Sequence, residues 1–521
     1  MGKTGWVLLL LAGASASNAL ASGFDEWRRQ NQSEFQAFKD ARDKAFLDML
    51  TRQWQEMKML RGMVRDATPK PAEIPVAPKP DEPSPAAVPG PPRPEPGVPE
   101  PELAAPKAPA PHRPAPDLVP PKTPAPPPQR DRPGPPPAPV ITERPRPPAP
   151  APALPGQEQS VVFFGHRLRF QVPADVRLTL PPERPMDETV ISAAWEALSR
   201  SDYEPLVRQL DAQAKPLELG DWARVQLTYG VSGVIAPDSD NERLLMTWFL
   251  LAKQGFDARI AFDKKSVYLL LPAQQQLYET TYFRLDGINY YLARLNPKAA
   301  PPRRVFTYDG HYPEADQRLD MRFARTVKTA AKVGERKVSF TFKGRRYTLT
   351  LPYNAYLIDF YATYPQLDLP LYFAAEPGVD SRQALVTQLR PLLQGRSEKE
   401  AVDFLLRFVQ TAFKYETDDR QFGEENYLLP DETIYYAFSD CEDRAVMFAW
   451  LVRKLLGLEV VGLSYPGHVA TAVAFKTRVA GDSVTYKGKT YVIADPTYIN
   501  ANAGMAMPAT RGQSPKVVPT L

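Results

Sequence analysis

Three residues of the types used in nucleophilic catalysis follow one another in the C-terminal part of this chain of 521 residues. Cys441 is the only cysteine, and it stands at the start of a run with helical periodicity. His468 opens the apolar run 469–475, and Asp495 follows the apolar run 491–494. Both runs are predicted strands, so each candidate residue lies at the boundary of an element.

A thiol, an imidazole and a carboxylate in this order provide what nucleophilic catalysis needs. A free cysteine thiol has a pKa of about 8.5 and needs help to ionise at neutral pH. A helix N-terminus offers N–H groups and the positive end of the helix dipole, with Ser439 or Asp440 as the expected N-cap. The imidazole can take the thiol proton, and the carboxylate can fix the imidazole tautomer. Glu442 and Asp443 oppose thiolate formation, and Arg444 offsets part of their charge.

These blocks resemble a known superfamily. The stretch CEDRA from Cys441, the residue His468 and the stretch DPT from Asp495 resemble the Cys, His and Asp blocks of the transglutaminase-like superfamily, which has a papain-like α+β fold. The resemblance covers residues 398–507. It implies a nucleophile at Cys441, a general base at His468 and an orienting carboxylate at Asp495. Acyl transfer would pass through a thioester, and the bacterial members favour hydrolysis, as a peptidase or amidase acting on envelope protein or peptide.

One branch of the superfamily provides a contrast. Its periplasmic members cleave surface adhesins, bind calcium and share the Cys-Glu-Asp start. The residues around His468 depart from that branch, so we predict neither its substrate nor a metal or cofactor. As oxyanion donors we expect the backbone N–H of Cys441 and a side chain from residues 421–436. That segment is either a wall of the substrate cleft or a long surface loop.

Two other interpretations of the cysteine stay open. In one, Cys441 is a buried core residue and Asp495 caps a strand end, so that the protein is a non-catalytic binding or scaffold protein of the cell envelope. In the other, the thioester is passed to an amine, and the protein is a cross-linking transamidase. The reactivity of Cys441 separates the first interpretation from an enzyme, whereas the sequence does not separate hydrolysis from transamidation.

The elements that must position these residues occur twice. A strand, a glycine turn and a second strand are predicted at residues 164–173 and again at 342–352. Further along, the predicted helix 242–255 resembles 442–457. We therefore predict a tandem pair of α+β domains of the transglutaminase-like type, residues 157–300 and 337–521, joined by a connecting segment, 301–336.

The first copy lacks the catalytic residue types. The alignment of the two copies places Asn241 near the position of Cys441, Ser266 near that of His468 and Arg294 at that of Asp495. We therefore predict that the first copy is degenerate and serves as a binding or packing module.

The N-terminal region predicts export and a helix. Residues 1–21 have the charged start, apolar run and A-x-A site of a signal peptide, which indicates a periplasmic or secreted protein. The apolar run is too short to span a membrane. Apolar residues then recur every eleven positions, which is typical of one long helix over residues 22–67. Its apolar stripe, residues 24–60, favours self-association over docking on the same chain.

Proline dominates the segment that follows. Residues 68–156 are rich in proline and alanine, and we predict an extended, disordered linker without helix or sheet. The net charge of the whole chain is only +4, which gives no indication of a nucleic-acid partner. The expected partner is instead the protein or peptide substrate.

Overall fold

A computed structural model describes residues 41–51, 54–58, 76–77, 156–182, 184–296, 302, 304–308, 310–323 and 326–520. The predicted signal peptide lies outside the described residues, and so does most of the predicted linker. Helices and strands are mixed along the described chain, which confirms the predicted α+β class. Among these residues, no helix is long and apolar enough to cross a membrane.

The N-terminal elements and the first half of the fold (residues 157–308) contain five helices and nine strands in the described residues. The helices are α1 (residues 41–50), α2 (Glu188–Arg200), α3 (Glu204–Ala214), α4 (Asp221–Ile235) and α5 (Asp240–Lys253). The strands are β1 (Trp54–Lys58), β2 (Gln157–Phe163), β3 (His166–Val172), β4 (Arg259–Phe262), β5 (Val267–Pro272), β6 (Leu277–Tyr278), β7 (Tyr282–Leu285), β8 (Ile288–Leu292) and β9 (Arg304–Tyr308).

The second half (residues 333–519) repeats this alternation with additional short elements. Its helices are α6 (Ala355–Tyr361), α7 (Leu369–Ala374), α8 (Val379–Leu393), α9 (Glu398–Ala412), α10 (Asp418–Gln421), α11 (Pro430–Tyr435) and α12 (Cys441–Leu456). Its strands are β10 (Val333–Phe342), β11 (Arg345–Asn354), β12 (Gln366–Leu367), β13 (Lys414–Tyr415), β14 (Phe438–Ser439), β15 (Glu459–Tyr465), β16 (His468–Ala474), β17 (Ser483–Tyr486), β18 (Lys489–Ala494) and β19 (Lys516–Pro519).

The main sheets of the two halves have the same order of neighbours. In the second half the order is β17-β18-β16-β15-β19, and in the first half β7-β8-β5-β4-β9 is extended at one edge by β1. All pairings in both sheets are antiparallel. In each half a long helix, α5 or α12, precedes the two central strands in the chain and packs against them. The same connectivity therefore occurs twice.

A hairpin and a helix also recur with the same hydrogen bonds. The two-residue turns Phe164-Gly165 and Lys343-Gly344 have positive φ at both positions, as a type I′ hairpin requires. In the first half Gln209 of α3 accepts from Gln171 N at 2.8 Å and donates to Gln171 O at 2.8 Å. In the second half Gln388 of α8 bonds Thr350 in the same way, at 3.0 and 2.7 Å. Each glutamine thus ties its helix to its hairpin.

The two halves share one continuous hydrophobic core. The short strands β6 and β12 pair across the boundary between the halves. The rings of Phe164 and Phe360 meet at 5.2 Å, and Trp222 Nε1 donates to Thr363 Oγ1 at 3.0 Å. Because these contacts bury apolar surface from both halves, each half stabilises the other.

The N-terminal segment differs from its prediction. Residues 54–58 form strand β1 paired with β9, so the predicted helix over residues 22–67 is wrong at this point. Phe46, a member of the predicted stripe, is 2% exposed and packs on Trp195 with ring centroids 4.5 Å apart. Asp43 also pairs with the buried Lys253. The described part of the stripe therefore docks on its own chain and not on a second copy, contrary to the prediction. The other stripe positions lie outside the described residues.

Two of the predicted segments take part in β-pairing that the sequence did not indicate. The predicted connecting segment 301–336 contains strand β9, which belongs to the first sheet, and the start of β10. Within the predicted linker, Val76 forms a parallel β-bridge with Ile499. Composition alone could not indicate either pairing, because both depend on backbone partners distant in the sequence.

Candidate active site around Cys441

Helix α12 places Cys441 at its first position, as the sequence predicts. Asp440 is the N-cap residue, and its backbone N–H donates to Asp443 Oδ2 at 3.1 Å. The helix ends at Leu456 and is capped by Gly457, whose φ of 63° is the left-handed conformation that glycine adopts after a helix C-terminus. All side chains from Cys441 to Val452 are buried, and Cys441 itself has no exposed surface. The thiol therefore lies inside the protein, at the positive end of the helix dipole.

A tight turn places His468 at the start of the central strand β16. Pro466 and Gly467 form the two-residue connection between β15 and β16, and Tyr465 pairs directly with His468. Gly467 has a φ of 69°, which suits glycine as the second residue of a type II turn after proline. His468 is 5% exposed, so the imidazole is buried as well.

Strand β18 brings Asp495 to His468. Ala494 pairs with Thr471 of β16, so the next residue, Asp495, lies near the start of that strand. Its Oδ2 lies 2.9 Å from His468 Nε2. Its Oδ1 accepts backbone hydrogen bonds from Thr497 at 2.8 Å and Tyr498 at 3.2 Å. Because a carboxylate only accepts hydrogen bonds, Nε2 is the protonated nitrogen, and the ring orientation is fixed.

The thiol lies beside the same strand. Val469, the residue after His468, donates its backbone N–H to Cys441 Sγ at 3.4 Å. The thiol donates to Glu442 Oε2 at 3.0 Å. The structure thus joins His468 and Asp495 directly and places Cys441 against the residue next to His468.

Arg444 is a buried cation near the thiol. It is 1% exposed and donates to Ser439 Oγ at 3.3 Å, Gln410 O at 3.3 Å and Phe413 O at 2.9 Å. Desolvation lowers the pKa of Arg444 to about 10, and its electrostatic interactions with Tyr415, Asp440, Asp443 and Cys441 act against this shift. The guanidinium therefore stays charged at neutral pH and attracts the thiolate form of Cys441.

Three buried carboxylates, whose charge is opposite to that of Arg444, lie close together at the start of α12. Oxygen atoms of Asp418, Asp440 and Glu442 lie within 4.8 Å of one another. In the described part of the chain, this is the set of side chains whose spacing suits a metal ion, and oxygen ligands suit a hard cation such as Ca²⁺. When ionised, these carboxylates oppose the effect of Arg444 on the thiol. Asp418 had no distinguishing signal in the sequence, since it lies among other acidic residues.

The segment 421–436 is anchored to the start of α12. Leu428 N–H donates to Asp443 Oδ1 at 2.8 Å, and Asp431 Oδ2 accepts from Gly378 N at 2.7 Å. Most of α11 is buried. Burial raises the pKa of Glu432 to about 8. The latter part of the segment is therefore packed structure that bonds the start of α12, whereas Gly423 and Glu424 are exposed.

Helix α9 holds the residues after Asp495 in place. Gln410 Nε2 donates to Asp495 O and to Ala501 O, both at 3.0 Å. Arg407, one turn earlier, donates to Asn500 Oδ1 at 2.9 Å and to Asn500 O at 3.1 Å. Sequence reasoning missed these supporting residues. Their signal was weak, since a polar residue in an amphipathic helix more often faces solvent.

The first half shows the same geometry without the chemistry. There Val267 N donates to Asn241 Oδ1 at 3.0 Å, where Val469 N donates to Cys441 Sγ in the second half. Asn241 and the residue before Val267, Ser266, thus stand at the positions of Cys441 and His468. Ala293 N donates to Leu269 O at 3.0 Å, and the corresponding pair in the second half is Ala494 and Thr471. The next residues, Arg294 and Asp495, therefore occupy equivalent positions.

Comparison with known proteins does not extend this description. No family model matches the chain, and neither a curated protein nor a solved structure matches it significantly. The functional argument therefore rests on the geometry and the chemistry of the site.

Proposed function

We propose that this protein is an exported, cysteine-dependent acyl-transfer enzyme of the transglutaminase-like type. Cys441 is its nucleophile, His468 its general base and Asp495 its orienting carboxylate. The observation that carries the proposal is the His468–Asp495 hydrogen bond of 2.9 Å beside a thiol at a helix N-terminus. This combination supplies the base, its orienter and a setting that favours a thiolate.

The proposed reaction begins with proton transfer. His468 takes the Cys441 proton through Nδ1, since Nε2 is bonded to Asp495. The thiolate then attacks the carbonyl carbon of a peptide or amide, and the oxyanion is stabilised by the Cys441 backbone N–H. His468 returns the proton to the leaving amine, which leaves a thioester at Cys441. Water activated by His468 hydrolyses the thioester and restores the thiol.

The same proposal treats both halves as transglutaminase-like domains, of which the first is degenerate. Support comes from the common strand order and from the matched glutamine contacts. Asn241 cannot act as a nucleophile in place of a thiol, and Ser266 cannot act as an imidazole base. The first half then contributes packing surface to the catalytic half.

The setting of the enzyme follows from the N-terminal sequence. The signal peptide supports a periplasmic or secreted location, and the proline-rich linker supports a catalytic unit that reaches large envelope proteins or peptides. Hydrolysis by a peptidase or amidase is the proposed outcome of the thioester. Transfer to an amine, as in a cross-linking transamidase, uses the same intermediate.

The complete burial of Cys441 favours one competing function. A thiol without exposed surface also fits an inert core cysteine in a binding or scaffold protein of the envelope. For the enzyme, burial means that substrate binding must open the cover of the site. Residues 421–427 are a suitable moving element, because they include the exposed Gly423 and Glu424 and directly precede Leu428, which bonds Asp443 at the start of α12.

The test uses the full chain and a mixture of extracted envelope proteins with a fluorescent primary amine. New peptide N-termini, found by N-terminal labelling and mass spectrometry, are expected with the wild type and not with Cys441→Ser. Incorporation of the amine at glutamine residues instead would identify a transamidase. Asn241→Ala is the matched control and should behave as the wild type. If the wild type and Cys441→Ser give identical products, the protein is a binding or scaffold protein.

A further inference from the structure

Two residues from the predicted linker lie against the turn that follows Asp495. The backbone N–H of Ala77 donates to Ile499 O at 2.9 Å, and Asn500 Nδ2 donates to Ala77 O at 3.3 Å. Val76 forms a parallel bridge with Ile499. The two residues therefore meet the turn through one isolated parallel bridge, the kind of backbone pairing by which extended peptides are recognised.

The two side chains of this segment point in opposite directions. Ala77 is 2% exposed and packs with Tyr498, Ala501 and Met507, whereas Val76 is 65% exposed. This alternation is that of an extended strand with one face bound. Because the apolar pocket encloses a single methyl group, a larger or charged side chain at this position cannot enter without displacing its walls.

The turn is built to receive a backbone. Asn500 has a φ of 65°, and Arg407 holds both its side chain and its carbonyl group. Gln410 fixes both ends of the turn through Asp495 O and Ala501 O. A surface held in this way loses little freedom when a peptide binds. Since Asp495 also bonds His468, the docked segment shares one rigid turn with the candidate catalytic group.

We propose that the turn at Ile499 and Asn500 is a peptide-docking subsite that selects an extended segment with alanine at the pocket, and that residues 76–77 occupy it as an internal competitor. If the proposed function holds, the substrate class is extended protein segments with a small side chain at this position. Two hydrogen bonds to the backbone of Ala77 and one methyl group make a weak contact, which a tethered segment maintains through its high effective concentration. A substrate segment displaces it.

The sequence of the linker agrees with this selection. Ala77 is followed by Pro78, and Ala-Pro dipeptides recur at residues 105–106, 108–109, 110–111, 115–116, 125–126, 138–139, 149–150 and 151–152. Proline favours the extended backbone that the subsite binds, and it prevents the segment from folding into a helix.

Binding of a labelled peptide to the full chain tests the proposal. The probe is the nonapeptide AEIPVAPKP, residues 72–80, with a fluorescein label, and its affinity is measured by fluorescence anisotropy. Ala77→Arg expels the internal segment, and we expect this variant to bind the probe at least several-fold more tightly than the wild type. Val76→Arg, at the exposed neighbouring position, should bind as the wild type does. A probe with arginine in place of the alanine that corresponds to Ala77 should not bind Ala77→Arg.

The binding measurements on these variants test the docking site separately from the proposed catalytic function. Equal affinity of the wild type and Ala77→Arg, or no binding by Ala77→Arg, would overturn the docking site. A circular dichroism spectrum equal to that of the wild type establishes that Ala77→Arg is folded. The measurement is repeated with Cys441→Ser added to Ala77→Arg, where the probe should still bind. If the enzyme test fails while the probe binds, the docking site stands without the catalytic assignment.

Discussion

The two halves of this protein use the same backbone to hold different chemistry at the start of one helix. In the first half an amide oxygen of Asn241 receives the N–H of Val267, and in the second half the thiol of Cys441 receives that of Val469. The strand order around both positions is the same. The same backbone therefore presents an amide in one half and a thiol in the other, and the surrounding residues decide what each group can do.

Those surroundings differ in two ways. The helices α4 and α5 are joined by residues 236–239, whereas α9 and α12 are joined by residues 413–440, which carry α10, α11 and two short strands. Three residues after the equivalent positions, the first half has the apolar Leu244 and the second half the buried Arg444. The longer connection and the buried charge both border Cys441.

Replacing Arg444 with the residue of the first half is expected to give the largest effect. Arg444→Leu leaves Asp440 and Asp443 without their buried counter-charge, and two backbone carbonyls lose their donor. We expect a loss of about 3–5 kcal/mol in the free energy of unfolding, measured by urea denaturation. Arg420→Leu, which breaks an exposed pair with Glu416, should cost less than about 1 kcal/mol. A similar loss in the free energy of unfolding for both variants would show that the buried charge of Arg444 contributes no more to stability than an exposed one.

Glu432, in the long connection of the second half, is expected to make stability depend on pH. Its pKa rises from 4.5 to about 8 through burial, so between these values the folded protein keeps a proton that the unfolded chain releases. Stability therefore falls as pH rises through this window. Glu432→Gln stays neutral and should be more stable than the wild type by a few kcal/mol at pH 8, with little difference at pH 4.

The control for this experiment is Glu424→Gln, an exposed position in the same connection. Its free energy of unfolding should follow that of the wild type at every pH. A constant difference between Glu432→Gln and the wild type from pH 4 to pH 8 would show that the Glu432 carboxyl does not titrate as described.

The matched glutamines provide the smallest and most symmetrical test. Gln209→Ala and Gln388→Ala each remove two hydrogen bonds to a hairpin backbone, and each should cost about 1–2 kcal/mol in the free energy of unfolding. Gln213→Ala, which loses only a 3.5 Å contact on the same helix as Gln209, should cost less than about 0.5 kcal/mol. Clearly different costs for Gln209 and Gln388 would show that the repeated contact differs in energetic role.

Periodicity and spacing indicated much of this arrangement. The α+β class, the start of α12 at Cys441 and the strand start at His468 follow from local patterns, because apolar periodicity and the Pro-Gly turn act over a few residues. The loosely matched pair Asn241 and Ser266 coincides with the observed hydrogen-bond positions. In these cases the residues that determine the element are its close neighbours in the sequence.

Contacts between distant segments were not predictable in the same way. The eleven-residue repeat suggested one helix through residue 67, yet residues 54–58 pair with β9, whose edge was not visible in the sequence. The bridge between Val76 and Ile499 and the approach of Asp418 to Glu442 depend on the assembled fold. Tertiary pairing of this kind overrides local propensity.

The most direct test of the catalytic assignment is the pH dependence of Cys441 alkylation by iodoacetamide in the full chain. Because Cys441 is buried, opening of the site limits the absolute rate, and the informative quantity is the pH at which alkylation rises. With the wild type we expect this rise well below pH 8, and with His468→Ala a rise at higher pH. Ser266→Ala, the equivalent position in the first half, should leave the wild-type profile unchanged. Slow alkylation that rises only near pH 8.5 and does not change in His468→Ala would contradict a Cys441–His468 pair.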